Sequence, residues 1–225
     1  YTEAQVPLKG WGQYIGLCFE TAGIEVDNRA EGGRSTKTFR EEGRWGENDS
    51  CNGVPGIMAT LAANDYVFIS MGHNDKAAGT ERYTTIEEYR ENLKNYITDT
   101  WSKGAKAVLI TPPIERWNTT NSVLERAEAM KEVADEMKVT LLDLNAKSWE
   151  YFESIGLEES RNRYYCTKEQ IAAVNQDYLQ SHPNGDLTHF NENGAKYLAK
   201  TIAELLKASG DSLGNFVNPE AMEAD

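Results

Sequence analysis

Short apolar runs alternate along this chain with longer stretches in which apolar residues return every three to four positions, the pattern of strands exchanging with amphipathic helices. Tyr66-Val-Phe-Ile-Ser-Met71 and Ala107-Val-Leu-Ile110 are continuous and apolar, which predicts strands buried on both faces, the second reaching residue 111 and stopped by Pro112 and Pro113. Residues 139–144 predict another strand, and the alternating residues 24–28 a shorter one. Residues 85–103 set Ile86, Tyr89, Leu93, Tyr96, Ile97 and Thr100 at helical spacing, with Thr85 and Glu88 as a capping box. Further helices are predicted over 122–137, 148–160, 167–181 and 193–208, with a brief one over 57–63. Near the start, Trp11, Ile15, Cys18 and Phe19 predict a short amphipathic helix over 11–21, ended by Gly23. Strands exchanging with helices imply a parallel sheet covered on both faces, an α/β chain. No linker-like stretch or internal repeat interrupts residues 1–225, so a single domain is expected.

Composition narrows the function classes. Lys plus Arg number 23 against 36 Asp plus Glu, a net charge of −13 over 225 residues. Such a surface repels phosphate backbones and anionic lipid, which argues against nucleic-acid and membrane partners. No apolar run approaches the ~20 residues of a membrane helix. Cys18, Cys51 and Cys166 show no C-x-x-C spacing and no histidine at ligand spacing, so no zinc site is expected, and at most one disulfide.

Three polar segments after strands carry candidate chemistry. Asp186-Leu-Thr-His189 sets a carboxylate three residues before a histidine, where it can accept the Nδ1 proton and leave the other ring nitrogen as a general base. Gly72-His-Asn-Asp75 offers a strand-end amide for a developing oxyanion. Gly32-Gly33-Arg34-Ser35 offers an unobstructed backbone N–H. Each alone also reads as an ordinary polar turn, whereas the three together, each after a strand in one α/β chain, are a much stronger signal than any one.

With Gly10-Trp11-Gly12-Gln13 and Gly43-Arg44, these segments follow the order found in the SGNH hydrolases, or GDSL esterases, over nearly the whole chain. The sequence resembles their rhamnogalacturonan acetylesterase-like branch of carbohydrate esterases. The resemblance implies a three-layer, flavodoxin-like α/β/α sandwich and a secreted or cell-surface parent protein. It implies that Gly33 and Asn74 donate to an oxyanion hole, that His189 is the general base and that Asp186 orients it. Arg34, His73 and Asp75 become supporting or substrate-side residues. The implied activity is removal of acetyl groups from plant cell-wall polysaccharide, pectin or xylan, by a serine acyl-enzyme route that needs no metal or organic cofactor. A lipase- or thioesterase-like member would want a long apolar acyl groove, which a mean hydropathy of −0.62 does not suggest. A non-catalytic carbohydrate-binding relic is the other alternative, against which both His189 and Asp186 are retained.

In this family the nucleophile lies in a Gly-Asp-Ser motif after a first, central strand. The resemblance therefore puts the serine upstream of Tyr1, and the chain reads as an N-terminally truncated copy lacking that strand. Gly210-Asp-Ser-Leu213 has the same letters, but Ser212 follows the helix over 193–208 that starts beside His189. At ~1.5 Å per residue that helix carries the chain more than ~20 Å away, and the few residues after it span at most ~14 Å. Ser212 is therefore expected in a turn after a helix. Ser35 is expected to shape its loop, and Ser70 to lie in the core. Trp11, Trp45 and Trp117 fall in loops or at element ends, where packing or stacking on a sugar ring is open to them.

Overall fold

Residues 5–19, 23–116 and 119–221 are described by the computed structural model, in which the chain folds as two units. One holds Glu31–Pro112 and Val123–Asp143, and the other Tyr1–Ala30, Pro113–Ser122 and Leu144–Asp225.

The Glu31–Pro112 unit opens with α1 (Thr38–Glu41), an antiparallel hairpin of β1 (Ser50–Cys51) and β2 (Val54–Pro55), and α2 (Ile57–Thr60). The predicted alternation then appears as β3 (Tyr66–Ile69), α3 (Ile86–Ser102), β4 (Lys106–Ile110), α4 (Leu124–Met137) and β5 (Thr140–Leu142). The three strands form a parallel sheet in the order β3-β4-β5, with Tyr66 opposite Lys106 and Val108 opposite Thr140. The capping box forms as read: Thr85 accepts from the Glu88 N–H, and the Glu88 carboxylate accepts from the Thr85 N–H. Val67, Ile69, Ala107 and Leu109 pack with Tyr89, Leu93, Tyr96 and Ile97 of α3 and Met130 and Val133 of α4. Each such buried large side chain contributes roughly 1.5–3 kcal/mol.

The other unit begins with 3₁₀ turns at Trp11–Gln13 and Ile15–Cys18. It continues with α5 (Leu144–Ile155), α6 (Leu157–Tyr164), β6 (Tyr165–Cys166), α7 (Lys168–Val174), α8 (Gln176–Ser181), β7 (Asp186–Phe190) and α9 (Glu192–Ala208). β6 and β7 pair antiparallel, with Cys166 opposite Asp186. α9 buries Ala195, Leu198, Ala199, Ile202, Ala203 and Leu206, the stripe expected of an amphipathic helix. Around Phe152, the rings of Tyr164, Tyr165, Phe190 and Tyr197 lie 5.4–6.4 Å away.

Several expectations are corrected. Residues 11–19 form two 3₁₀ turns rather than an α-helix, because Gly12 and Gly16 interrupt the pattern where helix propensity is weakest. Residues 20–22 of that stretch lie outside the described residues. Residues 24–28 form no strand; most are exposed, so no apolar face drives them against a partner. Burial in β3 alternates, with Tyr66 and Phe68 half-buried, and among the described residues its hydrogen-bonded neighbour is β4 alone. Ser70 is half-buried just past the strand rather than a core residue. The helix over 148–160 is two helices, α5 and α6, meeting at Gly156, and that over 167–181 is α7 and α8, meeting at Asn175. The three cysteines, Cys18, Cys51 and Cys166, are free thiols, which agrees with the expectation of at most one disulfide. No helix among the described residues is long and apolar enough to cross a membrane.

Gly72, after β3, has φ +140°, and a Cβ there would meet Pro112 Cγ at 3.1 Å, Arg126 Cβ at 3.2 Å and the Tyr89 hydroxyl at 3.3 Å. Backbone strain and overpacking therefore act together, each costing about 1–3 kcal/mol. Gly72→Ala is expected to lower unfolding free energy by about 2–4 kcal/mol, measured as a shift in the urea midpoint. A shift smaller than that of a surface Gly→Ala control would contradict this packing.

Candidate active site

The Asp186–His189 pair is built on β7. Asp186 opens the strand with its side chain 3% exposed, and the chain turns so that two following N–H groups come back to it. Asp186 Oδ1 accepts from the Thr188 N–H at 2.8 Å and the His189 N–H at 3.0 Å. Its Oδ2 lies 2.6 Å from His189 Nδ1 and accepts from the Tyr178 hydroxyl of α8 at 2.5 Å. An ionised carboxylate only accepts, so the Nδ1 of a neutral His189 carries the proton and Nε2 carries the lone pair. The His189 side chain is 34% exposed, accessible to a substrate. Burial pushes the Asp186 carboxyl up, but the hydrogen bond and charge of His189, followed by Tyr178 and the Thr188 N–H, outweigh it and hold the group well below the usual carboxylate range.

Ser212 is not part of this pair. It starts the 3₁₀ turn Ser212–Phe216 beyond the C-terminus of α9, where a Cβ on Gly214 would lie 2.6 Å from the Leu206 carbonyl oxygen. Seventeen helical residues separate that end from the His189 end, about 25 Å at ~1.5 Å each.

In the Glu31–Pro112 unit, Gly33 has φ +80°, is exposed, and a Cβ on it would meet nothing within 4 Å. A ligand therefore has open access to the backbone there. Asn74, half-buried past β3, donates from Nδ2 to the Arg34 carbonyl at 3.1 Å, and its Oδ1 accepts from Arg82 Nη1 at 2.9 Å. A guanidinium only donates, so Arg82 fixes which way the amide faces and leaves the second Nδ2 proton for another acceptor. His73 is half-buried beside it.

Asp75 is fully buried, and its carboxylate is taken up by the Thr36 N–H at 3.1 and 3.2 Å and by the hydroxyls of Thr36 and Thr84. Asn92 and Tyr96 bind the same Thr36, to its hydroxyl and its carbonyl. Asp75 thus ties the loop carrying Gly33 and Arg34 to the end of β3 and presents no face to a substrate. Burial pushes its carboxyl above the usual range despite the Thr36 and Thr84 bonds and the Arg126 charge.

The Arg34 side chain is committed too. Its Nε donates to Glu42 at 2.9 and 3.0 Å, and its Nη1 to the Gly32 carbonyl at 2.8 Å. Arg44 shares Glu42. Burial works against the Glu42 charge, yet Arg44 and Arg34 hold its carboxyl low. Ser35 is buried in a reciprocal pair with Thr38, its N–H donating to Thr38 Oγ1 at 2.9 Å and its Oγ accepting from the Thr38 N–H at 3.2 Å. That geometry starts α1 and makes Ser35 the loop-shaping residue expected. Trp45 is 2% exposed, edge-on to Tyr96, and donates its indole N–H to Asp99. It packs in the core rather than on a sugar. Trp117 lies outside the described residues.

Sequence reasoning missed Tyr178, Thr36, Thr84 and Arg82. Tyr178 stands eight residues before Asp186 on another element, a spacing with no local motif.

A carboxylate-oriented histidine in a parallel-sheet α/β chain is an arrangement used by hydrolases that act through an activated nucleophile. The profile of the GDSL-like Lipase/Acylhydrolase family matches residues 2–197, and the chain belongs to that family. It is 37% identical over 211 residues to the "Probable rhamnogalacturonan acetylesterase YesY" of Bacillus subtilis, covering 89% of this chain and 84% of that one. It is 33% identical over 214 residues to the rhamnogalacturonan acetylesterase RhgT of the same organism, covering 92% and 84%. Among solved structures, protein YxiM of Bacillus subtilis superposes with a TM-score of 0.70 at 25% identity, over 94% of this chain and 53% of that longer one. An acetylxylan esterase from Geobacillus stearothermophilus shares the fold, with a TM-score of 0.60 at 20% identity over 91% of this chain and 83% of its own.

Asp186 is held ionised below its ordinary value of ~3.9, so its hydrogen bonds stabilise the fold fully above that pH. Their contribution drains away as the pH falls through the lower folded value. Asp186→Asn is expected to cost about 2 kcal/mol at pH 7, in the range for hydrogen bonds to a charged group, with the gap from the unaltered protein narrowing towards pH 3. Urea unfolding at the two pH values measures this, and a gap that widens on acidification would reverse the assignment.

Proposed function

We propose that this protein is a carbohydrate acetylesterase that removes acetyl groups from rhamnogalacturonan by a serine acyl-enzyme mechanism. The observation that carries the reading is the Asp186–His189 pair, a histidine whose Nδ1 is claimed by a buried carboxylate. The substrate class is supported by the names of relatives matched over about nine-tenths of the chain.

In this reading a serine hydroxyl attacks the acetyl carbonyl carbon while His189 Nε2 takes its proton. Asp186 stays anionic and stabilises the imidazolium. Charge developing on the carbonyl oxygen is stabilised by N–H donors that strengthen their bonds as it becomes an oxyanion, the role that the family resemblance assigns to Gly33 and Asn74. Collapse breaks the bond to the sugar oxygen, which leaves as a hydroxyl with the proton from His189. Water then enters by the same proton route and releases acetate, regenerating the serine. Arg34 and Asp75 serve this chemistry indirectly, Arg34 through the carbonyl that holds Asn74 and Asp75 through Thr36.

The test is acetate release by the full-length protein from acetylated rhamnogalacturonan, with acetylxylan and nitrophenyl esters of increasing chain length alongside. His189→Ala is expected to lower kcat by at least about 1,000-fold and Asn74→Ala by about 100-fold or more, while Ser212→Ala leaves the rate unchanged. A fluorophosphonate probe should label one serine in a His189-dependent manner. Cleavage of long-chain esters without acetate release from the polysaccharide would replace this reading with a lipase-like one.

A further inference from the structure

The Asp186 carboxylate has a donor that the family-type pair does not require. Its Oδ2, the oxygen facing His189 Nδ1, also accepts from the Tyr178 hydroxyl, so two side-chain donors share one oxygen while two backbone N–H groups hold the other. Tyr178 is itself held from three directions. Asn175 accepts from the Tyr178 N–H at 3.0 Å and donates to the Val6 carbonyl at 3.0 Å, which pins the first turn of α8. The His182 ring stacks on the phenol at 4.0 Å between centroids and 10° between planes. His182 Nδ1 lies 3.2 Å from the Tyr178 carbonyl oxygen and 2.9 Å from Ser181 Oγ. A phenol so fixed has its hydroxyl aimed before any substrate arrives.

We propose that Tyr178 is a positioning residue of the active site: its hydroxyl orients the Asp186 carboxylate and draws negative charge away from His189, which sets how strongly the imidazole holds its proton. The inference rests on the reading of His189 as the general base. Its physical content is a competition for one oxygen. With the phenol present, part of the Oδ2 charge is neutralised by the Tyr178 donor; with it absent, that charge falls on the His189 Nδ1–H and favours the imidazolium.

Among the described residues, the neighbouring Cys166, Arg116, Lys9 and His182 leave this competition intact. Cys166, opposite Asp186 across the β6·β7 pair, is pushed up to about 12 by burial and then by Asp186, so it stays a neutral thiol. Arg116, whose N–H donates to the Leu187 carbonyl, spends its guanidinium on Glu153 at 2.8 Å, Ser160 and the Phe152 carbonyl. From the N-terminal segment, Lys9 reaches β7 through its backbone N–H to the Phe190 carbonyl. His182 touches Tyr178 through the stacked rings.

The decisive experiment is Tyr178→Phe in the full-length protein, which keeps the ring and the stack and removes one oxygen. His189 is followed by NMR through its ring proton during a pH titration, assigned by its loss in His189→Ala. The titration midpoint is expected to rise relative to that of the unaltered protein. The acid limb of kcat/KM should move with it, with KM unchanged at the plateau. A structural role alone would lower the thermal midpoint and leave the titration in place, and that result overturns the proposal. In the unaltered protein the Tyr178 hydroxyl proton should be protected from exchange and close to the His189 Nδ1 proton. Its absence there overturns the proposal even if the variant does not fold. Because the titration reads the pair without any ester, failure to release acetate would count against the proposed function and not against this coupling.

Discussion

A carboxylate taken out of water costs several kcal/mol unless hydrogen-bond donors replace its hydration, and each unit of this protein is organised around one. Asp75 and Asp186 are both buried, and loops otherwise free to wander are held where their N–H and O–H groups meet these oxygens. The two carboxyls are pushed in opposite directions for a reason visible in their partners. Asp75 faces neutral donors, Thr36 and Thr84, with Arg126 acting at longer range, so burial prevails and its carboxyl is raised. Asp186 has His189 directly against it, and the charge that the imidazole can carry tips the balance the other way. One residue type thus supplies a loop anchor in one place and an electrostatic partner in the other.

That division shapes the chemistry available. Backbone donors to Asp186 Oδ1 fix the plane of the carboxylate, which leaves Oδ2 to select the histidine tautomer. Arg82 performs the parallel task for Asn74, since a group that only donates forces the amide oxygen towards itself and the amide nitrogen away. In both cases a neighbouring group determines which proton or lone pair the side chain presents. Residues that look like binding groups by type, such as Arg34 and Asp75, are consumed in holding the others.

The departures from the expected elements share a cause. Periodicity shows which residues want burial but carries little about where a helix breaks, so α5 with α6 and α7 with α8 each read as one helix until Gly156 and Asn175 interrupt them. Residues 11–19 had helical spacing without helical propensity, and glycine prevailed. Trp45 had the chemistry for a sugar platform, but its indole N–H found Asp99 and its ring found Tyr96. Burial decided its role, and burial is a property of the whole fold.

What the sequence by itself determined is local: the β3-α3-β4-α4-β5 alternation, the capping box at Thr85, the stripe of α9 and the three-residue spacing that lets Asp186 reach His189. Each follows from backbone periodicity or from side chains a few residues apart. Tertiary structure alone decided the rest. Thr36 meets Asp75 across 39 residues, Asn74 meets Arg34 across 40, and Tyr178 reaches Asp186 on β7 from helix α8. Such pairings have no sequence signature, because a buried polar group is satisfied by whichever donor the folded chain brings within 3 Å, wherever that donor lies along the chain.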